Sequence, residues 1–352
     1  MILFLSFCLG AFSPASAAEH AKSGPSNAGE PKAAGKSAAD ASKTEAAKSA
    51  EEDEKSWKEL LESASRFYEQ GKLNEASEAM EAALGAAERL RADGSRSNAF
   101  FKLAEQYLYL KQYERAKTLI QEGLSLQRKI PGFKNIANAN VLDNLAQAYA
   151  RSGEPLEASK FEKEALSIYE SLHKTETHDY AIALSNHANT LRQLKEYKDS
   201  EQFFAKAVAV EQKVDGKDSL ELAKILLNAG GLYCEMDKLD SAKRLLDRAE
   251  KIIQSKLSPS HPLYLLSIKS ERVMYKKRLD ALLKNDSNAI RPEVASVVLR
   301  LAALYENEGD LAQSVAAYKQ ALGIEEQLLA PDSPELQKIK DAYLAALKKF
   351  SN

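Results

Sequence analysis

The chain has 352 residues, 44% hydrophobic and 28% charged, and its 49 basic and 51 acidic side chains leave a net charge of −2. That near-balance excludes the clustered Lys and Arg on which nucleic-acid binding or a polybasic membrane surface rests. The length suits two ordinary domains or one long repeat array, and abundant Ala with only 7% aromatic residues favours helices.

Residues 1–17, MILFLSFCLGAFSPASA, carry an apolar core from Ile2 to Phe12 followed by Ala15-Ser16-Ala17, an A-x-A pattern suited to signal peptidase. The apolar stretch is too short to span a bilayer, and no Lys or Arg precedes it, which departs from the usual signal. The expectation is export, periplasmic or secreted in a bacterial source, with no membrane span after cleavage. The bulky Phe7 beside Cys8 is unlike a lipoprotein signal, so no lipid anchor is expected. Without residues 1–17, Cys234 is the sole thiol and no internal disulfide can form. Residues 18–55 are rich in Ala, Lys, Ser and Glu and contain no Leu, Ile, Val or aromatic residue. Such a segment cannot bury enough apolar surface to offset chain entropy and is expected to be a disordered tether.

From residue 56 on the chain is periodic. Small residues fall at Ala64, Ala104, Ala146, Ala188, Gly230 and Ala302, at intervals of 40, 42, 42, 42 and 72. A second set follows each by 12 residues: Ala76, Ala116, Ala158, Ser200, Ala242 and Ser314. Small residues at both places let two helices cross closely. Phe67, Tyr107, Tyr149, Tyr233 and Tyr305 stand three residues after the first set, with Leu191 as the substitute. Turn residues separate the paired helices at Gln70-Gly71-Lys72, Ser152-Gly153-Glu154 and Glu308-Gly309-Asp310. The pattern predicts five regular helix pairs over 56–256 and a last pair over 292–334. Residues 257–291 form a degenerate unit with one long helix (263–285), where Arg272 takes the small residue's place. That unit is expected to divide the five regular pairs from a C-terminal block. Residues 335–352 are expected to form a capping helix with Leu336, Ile339, Tyr343 and Leu347 on one stripe. A partner-binding amphipathic helix is the alternative for that segment.

The small pair, the aromatic, the Gly turn and the inter-unit phrases His261-Pro262 and Asp332-Ser333-Pro334 resemble the tetratricopeptide repeat family. The 42-residue form is similar to the repeats of kinesin light chains. The resemblance covers residues 57–350. It implies an all-α solenoid of helical hairpins, a right-handed superhelix with a C-terminal capping helix. It also implies an extended concave surface lined by the first helix of each pair.

On those first helices, positions −6, −2, +1 and +5 from the crossing residue share a face. That face holds Asn144, Asn186 and Asn228, each 42 apart, a ladder of amides suited to an extended peptide backbone. In kinesin-light-chain-type repeats Asn at this position contacts bound peptide, so the resemblance implies the same role for these three. Asn140 and Asn189 flank the ladder, and Arg151 and Arg192, a turn further on, are expected to receive an acidic ligand side chain. The competing reading is that these Asn residues join neighbouring helices without a ligand. Glu62, Lys102 and Arg300 break the ladder elsewhere, which confines a ligand to residues 140–235.

The sequence offers no catalytic motif: no G-x-S-x-G, H-E-x-x-H, phosphate loop or dinucleotide fingerprint. His173 to Asp179 contains possible metal ligands, but the spacing matches no zinc motif, and no metal or cofactor is expected. His178 and His261 fall at helix starts, where polar caps are common, and His187 is expected to pack beside Ala188. Gly230-Gly231 lies within a helix, where close packing explains it. The sequence thus reads as a non-enzymatic, exported scaffold that binds a peptide or protein segment in its groove. The alternative is a structural subunit of a cell-envelope or secretion assembly that uses its outer surfaces and ends.

Overall fold

The computed structural model describes residues 38–91, 93–284 and 290–351, with side chains from residue 52 onward; the expected signal segment, 1–17, lies outside them. Fourteen α-helices and no strand occur among the described residues. In the first compact unit, which ends at Lys134, α1 (Ala38–Glu69) pairs with α2 (Leu73–Arg89) and α3 (Gly94–Tyr109) with α4 (Tyr113–Gln127).

The second unit begins at Asn135. It pairs α5 (Ile136–Ser152) with α6 (Pro155–Ser171), α7 (His178–Gln193) with α8 (Tyr197–Val214), and α9 (Leu220–Glu235) with α10 (Leu239–Lys256). The helix α11 (Pro262–Leu283) stands alone, packed on α9, α10 and α12 (Pro292–Glu308). Then α12 pairs with α13 (Leu311–Leu328), and α14 (Pro334–Ser351) lies on α13.

Each hairpin is built by the same local devices. The helices α5, α7, α9 and α11 start at caps 42 residues apart: Asn135, Thr177, Ser219 and His261 each accept a backbone N–H of the first turn. The tight turn inside each pair has one residue in the left-handed region: Gly71, Lys111, Gly153, Lys195, Asp237 and Gly309. The next residue's N–H closes the turn on the carbonyl of the periodic aromatic, as in Glu154 to Tyr149 and Asp310 to Tyr305, both 2.9 Å. These bonds satisfy carbonyls that a helix end leaves orphaned. At the crossings the small residues are buried. A methyl on Gly230 would lie 2.6 Å from Leu246 Cδ2, and the Ser200 hydroxyl donates to the Ala188 carbonyl at 2.7 Å.

Two features differ from the expected organisation. Of residues 18–55, expected to be a tether, 18–37 lie outside the described residues, and from Ala38 onward the segment belongs to α1. Ala, Lys and Glu are strong helix formers, so this composition extends the helix toward its N-terminus. The second difference concerns residues 257–291, which do not separate two blocks. The start of α11 is in register with the three inner helices before it. Its Leu263, Ile268 and Met274 share one apolar core with Leu246, Ile253, Val294 and Leu301. What the irregular unit lacks is its outer helix. Arg272, at the small residue's place, bonds Glu308 at 2.9 Å and lies over the Tyr305 ring.

Candidate functional site

The inner helices α5, α7 and α9 lie side by side, with α7 packed on both neighbours. The ladder residues they carry are not equivalent. Asn186 on α7 is buried, and its Nδ2 donates to Asp143 Oδ2 on α5 at 2.7 Å. Gln147 donates to the same oxygen at 3.0 Å. Asn144 and Asn228 are half-buried, and their side-chain amides make no hydrogen bond to the described residues.

The flanking residues divide in the same way. Asn140 donates to Asp179 at 3.3 Å and accepts from the Tyr169 hydroxyl. Arg192 is only 9% exposed; it donates to the Asn228 carbonyl at 3.3 Å and lies 3.8 Å from Glu235. Burial lowers the Arg192 pKa, with Glu235 opposing. Asn140, Asn186 and Arg192, expected as ligand contacts, are therefore engaged within the unit. A carboxylate or carbonyl on a neighbouring helix already takes their donors. By contrast, Asn189 is half-buried and its enclosed Oδ1 has no partner, while Arg151 is exposed and forms no ion pair with the described residues. Asn144, Asn228 and Arg151 are the positions left open to a ligand.

Behind this face lies a polar interior that the sequence reading passed over. Glu162, 2% exposed on α6, bonds His187 Nδ1 at 2.8 Å and accepts from the Thr190 hydroxyl at 2.6 Å. Burial raises the Asp143 carboxyl to about 6, and the charges of Glu162 and Asp179 push the same way against the bonds from Gln147 and Asn186. Asp143 Oδ1 and His187 Nε2 are enclosed without a hydrogen-bond partner. A signal for Glu162 existed: it sits four residues after Ala158 and three before Ala165, on the core stripe of its helix. Asp143, one residue before Asn144, interrupts the apolar run of α5 in the same manner.

Chemically, this arrangement offers amides and a guanidinium at the surface, backed by enclosed carboxylates. It suits hydrogen bonding to a backbone or side chain. The thiol of Cys234 on α9 is buried, and desolvation pushes its pKa up to about 11, far from the thiolate character that reactivity needs. Among the described residues, no helix is long and apolar enough to cross a membrane.

The tetratricopeptide repeat pattern matches residues 95–171, 179–255 and 295–328. The kinesin light chain-related protein 3 of Arabidopsis thaliana is 22% identical over 280 residues, covering 75% of this chain and 43% of that protein. The chain thus spans less than half the length of that curated relative. Among solved structures, the apo form of RapI aligns with a TM-score of 0.53 at 16% identity, covering 77% of this chain and 98% of RapI. Aspartyl phosphate phosphatase F from Bacillus subtilis aligns with a TM-score of 0.53 at 13% identity, covering 77% of this chain and 70% of that one. At such identities the likeness is one of fold, and the phosphatase activity in that name is that protein's own. The repeat pattern covers over half of the residues and coincides with the observed hairpins; the chain belongs to the tetratricopeptide repeat family.

Proposed function

We propose that the chain is a non-enzymatic interaction scaffold that binds a peptide or protein segment across the α5–α7–α9 face. The observation that carries this reading is the pair Asn144 and Asn228. They hold equivalent positions on α5 and α9, half-buried, with amides that no side chain or backbone group among the described residues takes. A half-buried amide loses water on one side, and an extended backbone supplies both the donor and the acceptor that replace it. Arg151 at the end of α5 adds a free cation for an acidic side chain of the same segment. The test is the double variant Asn144→Ala/Asn228→Ala. Capture of the partner is lost while the melting temperature stays that of the parent; capture that survives removes the face from consideration.

Export belongs to the same reading and is supported by the A-x-A pattern at Ala15-Ser16-Ala17. N-terminal sequencing of protein from the exported fraction should begin at Ala18, and a chain retaining Met1 contradicts it. A second reading, a structural subunit that uses its ends, is favoured by one feature. The final helix α14 exposes Leu344 and Phe350 at 57% and 55%. In that case Leu344→Glu/Phe350→Glu abolishes assembly, and the asparagine variants do not.

A further inference from the structure

Among the described residues, those from His173 to Asp179 do not by themselves gather three ligand atoms. The fold, however, brings other ligands to His178. It is the first residue of α7, and the antiparallel course of the hairpin sets it beside the end of α8. There Glu211, in the last turn, and Asp215, the C-cap, converge on it, with ligand atoms all within 4.8 Å of one another. His178 Nδ1 is 3.0 Å from Glu211 Oε2 and 3.5 Å from Asp215 Oδ2.

We propose that His178, Glu211 and Asp215 bind a divalent transition metal of the zinc class, clipping the start of α7 to the end of α8. Three independent features support it. The first is spacing: ligand atoms around a tetrahedral zinc with bonds of about 2.0–2.1 Å stand roughly 3.3 Å apart, between the two distances from Nδ1. The second is charge. Glu211 is fully buried, and with Asp215 it sits at the negative end of the α8 dipole. Lys213 is bonded to Glu176, and Lys224, bonded to Glu221, lends Glu211 only part of its charge. One imidazole and a lysine shared with Glu221 leave the two carboxylates short of positive charge, which a divalent ion supplies. The third is support and access. The Ser219 hydroxyl donates to Glu211 Oε1 at 2.8 Å and fixes that carboxylate, as outer ligands do in metal sites. On the open side His178 is 37% and Asp215 49% exposed at the side chain, which leaves a fourth position for water. The site is separate from the Asn144–Asn228 face and does not depend on its role.

The test is calorimetric titration of the full chain with Zn²⁺ near neutral pH, with Co²⁺ absorption as a spectroscopic check on coordination. A single zinc ion binds per chain, and His178→Gln and Asp215→Asn each weaken it by about tenfold or more. Zinc raises the melting temperature of the parent chain and not of the variants. Asp215→Asn alters a half-exposed side chain and leaves the His178–Glu211 contact in place. It therefore decides the matter even where His178→Gln fails to fold. Absence of zinc binding by the parent chain, or binding that Asp215→Asn leaves unchanged, overturns the proposal.

Discussion

Asn186 Nδ2 donates to Asp143 Oδ2 at 2.7 Å, so the central rung of the asparagine ladder joins α7 to α5. The two outer rungs carry no such bond. One periodic residue type therefore serves two purposes on one face, and the two can be separated by mutation.

Asn186→Ala leaves the buried Asp143 carboxylate short of a donor and lowers stability by about 1–3 kcal/mol. Asn144→Ala and Asn228→Ala, which break no internal bond, each change it by less than about 0.5 kcal/mol. Urea midpoints of the three variants measure the contrast.

Asp143 makes stability depend on pH. Its native pKa of about 6 lies above the ordinary 3.8 because burial, Glu162 and Asp179 disfavour its charge. Between about pH 4 and 6 the native state holds a proton that the unfolded chain has released, so this group's contribution falls as pH rises through that window. Asp143→Asn keeps an oxygen for Asn186 and Gln147 and removes the slope. Above pH 6 it gains stability on the order of 1–3 kcal/mol over the parent. Glu271, raised by burial and by neighbouring Glu250, adds a slope of the same sign in both proteins, so the difference between the two melting profiles isolates Asp143.

Lys111, Lys195 and Asp237 occupy the left-handed turn position with φ of 60°, 64° and 56°, where Gly stands in three sister units. A side chain there costs roughly 1–2 kcal/mol, partly offset by the entropy that Gly loses on folding. Lys195→Gly should raise stability by about 0.5–1 kcal/mol, and Asp237→Gly by less, since Asp tolerates this region better. Melting temperatures of the two variants give the order.

Gly230→Ala places a methyl against Leu246, which is almost wholly buried. Overpacking of about 1–3 kcal/mol outweighs the gain of up to about 1 kcal/mol in helix propensity, so the variant melts lower than the parent.

The sequence made the hairpins legible because small residues, aromatics and turns repeat at fixed intervals. The helix expected over 263–285 and the one over 335–352 correspond to α11 and α14. Contacts that cross between hairpins were not legible. The bonds from Asn186 to Asp143 and from Arg192 to the Asn228 carbonyl span 43 and 36 residues and depend on how neighbouring units stack. Periodicity shows that Asn recurs; it does not show that a carboxylate one helix away has claimed one of the three. The left-handed lysines escaped for a related reason, since only Gly advertises that conformation. The helix from Ala38 was hidden because a stretch without Leu, Ile, Val or aromatic residues carries no apolar period to mark it.

The central claim, that a partner lies on the α5–α7–α9 face, is tested most directly by placing a photo-reactive residue at chosen exposed positions of the full chain. Arg151 and Gln193 report on the inner helices, Lys160 and Lys206 on the outer ones. Positions 151 and 193 should each yield a discrete cross-linked partner that disappears in the Asn144→Ala/Asn228→Ala background. Cross-linking from 160 or 206 alone, or cross-linking at 151 and 193 that persists in that background, would contradict the claim.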